Sequence, residues 1–180
     1  MAYTSLLGAF PIAAEGSSLD PKPNKLVGEM RGVSRNGVFF RVVRELLSAL
    51  PAHESLRFLA HERHALQQES SDAQTMWTIL DEKSLPRVIA DLDRLLAACN
   101  ESAAVVAKAV CFGTDYLTAE QIRIVVAAAQ ECSDLNAEAP HSEEGESAEF
   151  MFAALVSLRA LLRRACVHSE RIAVFTWLPG

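Results

Sequence analysis

Glycine and proline are scarce in this 180-residue chain, eight and seven residues, and more than half of them fall in the first 37 positions. The rest of the chain therefore meets few helix breakers. It is rich in alanine and leucine, which lose little entropy in a helix. Also missing is any apolar run near the ~20 residues that cross a bilayer, so no membrane partner is expected. Cysteine is sparse. Cys99, Cys111, Cys132 and Cys166 stand far apart with no C-x-x-C pair, which excludes the usual zinc spacings and fits buried thiols in a reducing, cytoplasmic setting. A basic excess is lacking too: 17 Lys and Arg face 23 Asp and Glu, for a formal charge of -6. Such a surface repels phosphate backbones and argues against nucleic-acid binding.

Catalytic signatures are equally absent. No G-x-S-x-G elbow occurs, no family signature surrounds a cysteine, and the Walker spacing with its lysine is missing. The string His61-Glu62-Arg63-His64 is one residue shorter than the zinc-protease H-E-x-x-H. Asp91 and Asp93, two apart on an expected helix, point about 160° from each other and do not form a catalytic pair. No catalytic residue, metal site or cofactor is assigned.

What remains is a helical pattern. Val38, Phe39, Val42, Val43, Leu46, Leu47 and Leu50 predict a helix starting after Asn36 or Gly37. A second helix is expected over 52–69, with His53, Arg57, His61, His64 and Gln68 gathered on its polar side. A third is expected over 72–82, with Met76, Ile79 and Leu80 facing in and Trp77 beside them. The fourth, 84–99, has Ser84 as N-cap, Pro86 in the first turn and an Arg87–Asp91 pair. A fifth spans 101–112. Thr118 and Gln121 match a capping box opening a sixth, 119–132. The last, 147–167, is apolar almost all round, so Arg159 and Arg163 in it need acceptors.

Outside the helices, residues 1–36 read as an irregular arm with a short strand near 3–10. The first 14 residues lack the basic start of a secretory leader and are expected to pack as mature sequence. Residues 171–178 are β-prone and are expected to form a terminal strand, paired with the N-terminal segment. The fold class expected is mainly α: one domain, a bundle of six or seven helices over 37–167, with a small β pairing of the two termini.

The strongest compositional outlier is 133–149. It holds Asp134, Glu138, Glu143, Glu144, Glu146 and Glu149 and no Lys or Arg, six charges matching the net charge of the whole chain. Clustered charge of one sign steers a complementary partner. The expectation is a non-enzymatic module that binds a protein with a basic surface, in the manner of a bacterial inhibitor or immunity protein neutralising a partner enzyme or toxin. The alternative is a small helical enzyme or ligand-binding domain with an anion pocket between helices. Arg31 and Arg35, in a glycine-rich turn before the first helix, and Arg159 and Arg163 would line it. A scaffold or oligomerisation module is the third option.

Overall fold

The computed structural model describes residues 4–12, 30–35, 37–51, 53–62, 67–68, 75–112, 116–131 and 147–178. In chain order these form β1 (Thr4–Ile12), β2 (Met30–Arg35), α1 (Val38–Ala49), a 3-10 helix (Glu54–Ala60), β3 (Gln67–Gln68), β4 (Thr75–Leu80), α2 (Leu85–Glu101), α3 (Ala103–Ala109), α4 (Ala119–Glu131), α5 (Ala148–His168) and β5 (Arg171–Trp177). The protein is mainly helical, with six helical segments among the described residues. The terminal strands pair as expected, β1 running antiparallel to β5 from Leu6↔Trp177 to Ile12↔Arg171.

The sheet is larger than a terminal pairing. Its order is β2-β1-β5-β4-β3, and every neighbouring pair is antiparallel. The last strand of the chain is therefore the middle strand of the sheet. Two expectations are corrected by this. Residues 1–36 are not an irregular arm throughout, because Thr4–Ile12 and Met30–Arg35 are ladder-bonded to each other. Pro11 lies near the end of β1, in register with Ile172 of β5. Residues 75–80 are not a helix but β4, paired with β5 from Thr75↔Trp177 to Leu80↔Ile172. Over six residues, Thr-Met-Trp-Thr-Ile-Leu satisfies helical and alternating patterns alike, and its β-branched and aromatic content favours the pleat.

The expected helix over 52–69 is also corrected. A 3-10 helix occupies only 54–60 and closes at His61, whose left-handed backbone (φ 56) ends the run. The remaining helices stand within two or three residues of expectation. The capping box at α4 is formed: Thr118 N–H donates to Gln121 Oε1 at 2.8 Å, and Gln121 N–H donates to Thr118 Oγ1 at 3.2 Å. At α2, Pro86 sits in the first turn. Ser84 is its N-cap by position, but its hydroxyl turns back to the Asp81 carboxylate at 2.9 Å, which also accepts from Ser84 N–H. These bonds hold the Asp81 carboxyl below the usual carboxylate range.

The core lies between the helices and one face of the sheet. Leu7, Ala9, Leu80, Ile172 and Val174 join a cluster with Phe39, Leu46, Leu56, Leu92, Phe152 and Leu158. Because side chains alternate along a strand, the intervening residues form a second, separate cluster: Trp77, Ile79, Ala173 and Phe175, edged by Phe10, Ile12 and Trp177. Trp77 packs on Phe175 with tilted rings at 5.3 Å and meets Phe10 edge-on at 6.0 Å. The Phe175 ring occupies the space a side chain on Gly8 would need. A Cβ there would lie 2.1 Å from Phe175 Cε1. Gly8→Ala is therefore expected to cost about 2 kcal/mol or more by overpacking. In a Phe175→Leu background that cost falls. A double-mutant cycle by urea denaturation measures the coupling, and strict additivity would contradict the account.

Candidate functional site

Two carboxylates on α2 organise the polar interior. Asp91 was expected on the solvent face, paired with Arg87. Instead it is buried, and it accepts from Ser55 Oγ of the 3-10 helix and from Arg94. Arg94, three residues on, is exposed and reaches back over it. Asp93 is turned to the opposite side, as the helical phase requires. It receives Arg163 at 2.8 Å on both carboxylate oxygens and Arg159 at 3.1 Å on one. The two aspartates thus serve different neighbours and share no substrate position. One ties α2 to the 3-10 helix and the other ties α2 to α5.

Beside Asp91 lies His53. It is 7% exposed, and among the described residues neither ring nitrogen has a hydrogen-bond partner. Burial pushes its pKa down, opposed by the nearby Asp91 charge and reinforced by Arg94. His61 lies at the other end of the 3-10 helix. Its Nδ1 is 2.9 Å from Thr176 Oγ1 on β5, and its ring packs on Phe40 at 5.5 Å. Burial lowers its pKa too, with Arg44 acting in the same direction. The expected histidine stripe is thus not one helix face. His53 and His61 stand at opposite ends of a short 3-10 helix, and His64 lies outside the described residues. Among the described residues no three His, Cys, Asp or Glu side chains are grouped to hold a metal ion.

Outward of His61, Glu62 receives Arg44 at 2.8 Å and Arg57 at 2.9 Å, and Arg57 also donates to Glu54 at 3.0 Å. This network fastens the 3-10 helix to α1. Arg57, expected on the histidine face, is occupied by these carboxylates. Cys99, Cys111 and Cys166 are not joined in disulfides. Burial pushes the Cys99 thiol up to about 12, so it is a packing group and not a nucleophile. Cys132 lies outside the described residues.

Of the four arginines expected to line an anion pocket, two lie on β2 and two on α5, elements that contact each other. Arg31 and Arg35 belong to β2, paired in register with Gly8 and Thr4, and not to a turn before α1. Arg159 and Arg163 lie on α5 with Arg164 and His168, and together they line a cavity of about 290 Å³ with Val156, Ala160 and Val167. Of the acidic residues singled out in the sequence, Glu149 is exposed in the first turn of α5. Asp134, Glu138, Glu143, Glu144 and Glu146 lie outside the described residues. The segment they occupy joins α4 to α5, two helices that pack on each other. It enters α5 at Ser147, whose hydroxyl caps Phe150 N–H at 3.1 Å.

Sequence reasoning missed the Ser55–Asp91–His53 cluster and the exposed large hydrophobics Val105 on α3, Tyr116 just before α4 and Ile124 on α4. Among the described residues no helix is long and apolar enough to cross a membrane. No protein-family model, curated protein or solved structure matches the chain.

Two outcomes follow. Asp93→Ala strips the acceptor from two guanidiniums, one of them only 13% exposed. It should cost about 1–3 kcal/mol in urea denaturation, whereas Glu45→Ala, at an exposed i,i+4 pair on α1, should cost under about 0.5 kcal/mol. The second outcome concerns acid. Both histidines are depressed in the folded state, so the unfolded chain binds protons first as pH falls. Their contribution is complete above the ordinary imidazole pKa of about 6.5 and is lost as pH drops towards the folded values. Stability should decline from about pH 6.5 downwards. Replacing His53 by Leu should flatten that decline, and an unchanged slope would remove His53 from the explanation.

Proposed function

We propose that the protein is a non-enzymatic binding module that docks a protein partner with a basic surface, through the outer face of α4 and the acidic segment that continues it. The observation that carries this reading is the continuity of an exposed apolar group with a run of carboxylates. On α4, Ile124 is 59% exposed. Exposed Glu120 and Glu131 stand four residues before it and seven after it, on the same side of the helix. Immediately beyond come Asp134, Glu138, Glu143, Glu144, Glu146 and Glu149, with no Lys or Arg among residues 133–149. An apolar centre with a charged rim is the general composition of a protein interface. Carboxylates of one sign raise the encounter rate with a basic partner and penalise acidic ones.

The polar groups inside the described fold support the same reading by the way they are used. Asp91 and Asp93 are engaged in holding elements together, and Cys99 is protonated and buried. A bacterial inhibitor or immunity protein, covering the basic cleft of a partner enzyme or toxin in the cytoplasm, is the specific form we favour.

The test is capture from the native host with wild-type protein and with a variant carrying Glu143→Lys, Glu144→Lys and Glu146→Lys. Wild type should retain a basic protein that the triple variant does not. Association should slow with added salt for wild type and lose most of that dependence in the variant. Ile124→Ala should raise the dissociation rate with little effect on association. Equal capture by wild type and triple variant at all salt concentrations would end the acidic-face reading.

A further inference from the structure

The cavity on α5 carries a separate inference. Its described lining, Val156, Arg159, Ala160, Arg163, Arg164, Val167 and His168, repeats at intervals of three and four and so forms one face of the helix. Arg159 and Arg163 converge on a single oxygen of Asp93, at 3.1 and 2.8 Å. The pair is thus already spaced to fork onto one oxyanion. Those bonds engage only Nη1 of Arg159 and Nη2 of Arg163, and each guanidinium carries five N–H groups.

The charge balance favours an anion. Two guanidiniums against the one carboxylate of Asp93 leave a full positive charge. The C-terminal half charge of α5 opposes this by only about -0.5. The apolar lining adds a second requirement. Val167 is 80% exposed at the rim, and Val156 and Ala160 sit deeper. A purely polar ion would leave Val167 and half-buried Ala160 wet.

We propose that this groove binds a small amphiphilic anion: a phosphate or carboxylate group held by the outer edges of Arg159 and Arg163, carried on an apolar body laid against Val156, Ala160 and Val167. A cavity of about 290 Å³ is near the lower end for ligand sites, which suits a single ring or short chain. The paired arginines favour planar, two-point recognition of either head group.

The experiment is titration of the full chain with phenyl phosphate, benzoate, inorganic phosphate and benzyl alcohol at constant ionic strength, followed by backbone amide shifts over residues 156–168. Phenyl phosphate, benzoate or both should give saturable shifts with millimolar or tighter dissociation constants. Which of the two binds more tightly assigns the head group. Inorganic phosphate should bind at least tenfold more weakly, and benzyl alcohol should give no saturable shift. Arg163→Gln should weaken phenyl phosphate or benzoate by about tenfold. Val167→Glu places a carboxylate at the rim, one turn from Arg163, and should abolish binding by occupying or repelling the anion's place. Because Val167 is exposed, the remaining amide spectrum of that variant should be unchanged, which separates loss of the site from loss of the fold. Absence of saturable shifts with both aromatic anions would overturn the proposal. So would equal binding of inorganic phosphate, or binding that survives Val167→Glu.

Discussion

The pairing of β5 on both of its edges is the constraint from which the rest of the architecture follows. β5 accepts β1 on one side and β4 on the other, so neither half of the sheet is complete without the last strand. Its two faces carry different loads. Ile172 and Val174 seal the helical core, while Ala173 and Phe175 anchor the aromatic cluster on the other side. A one-residue slip would exchange those two sets. Gly8 and Phe175 guard against it: only the observed register sets the missing side chain opposite the ring that needs its space. The contacts joining residues 4–12 to 171–177 span nearly the whole sequence. Folding therefore has to close a long loop before the sheet rewards it, and the short-range helical contacts are the ones available first.

The helices depend on that sheet, but their mutual placement is set by α2. Its apolar stripe, Leu85, Val88, Leu92, Leu95, Leu96 and Cys99, fills the core. Its two aspartates then fix what lies on either side. Asp91 is buried and would be costly to leave unpaired, so Ser55 and Arg94 are drawn to it. Asp93 is half-exposed and gathers two arginines that would otherwise sit unpaired on a largely apolar helix. Each carboxylate satisfies a polar group that the packing would have stranded. His53 is the exception. Burial beside Asp91 lowers its pKa, and among the described residues its ring nitrogens have no hydrogen-bond partner.

Much of this was legible in the chain where a pattern was long or chemically specific. The seventeen residues of α2 repeat their apolar positions for several turns, and the twenty-one of α5 form an apolar run too long for a strand. The Thr118–Gln121 box encodes its own geometry in two side chains. The terminal pairing could be expected from β-branched and aromatic residues at 171–178. What misled were short segments. Residues 75–80 are too few to distinguish periods of 2 and 3.6, and only a long-range partner, β5, decides between them. The polar stripe through His53, Arg57 and His61 assumed an unbroken helix. It failed because the helix is a tight 3-10 turn that ends in a left-handed residue, and nothing local in the sequence announces that. Asp91 looked solvent-facing because its phase lies at the margin of the apolar stripe. Its burial comes from the 3-10 helix packing against that margin.

The charge distribution along α5 joins stability to recognition. Carboxylates precede and enter its N-terminus, while Arg159, Arg163, Arg164 and His168 occupy its C-terminal half. This is the arrangement that the helix dipole favours, since its N-terminus carries partial positive charge and its C-terminus partial negative charge. Part of the segregation is therefore expected whether or not anything binds. Two features go beyond what the dipole requires. The acidic run continues through residues 134–146, well past the first turn over which the dipole acts. Arg159 and Arg163 converge on a single carboxylate beside the apolar groups of the α5 cavity. Glu149 and Arg159 are separated by ten residues, about 15 Å along the axis at 1.5 Å per residue. That is about two screening lengths at physiological salt. The two ends of α5 consequently carry opposite charges that barely interact, so substitutions at Glu149 and at Arg159 or Arg163 should be separable in their electrostatic effects.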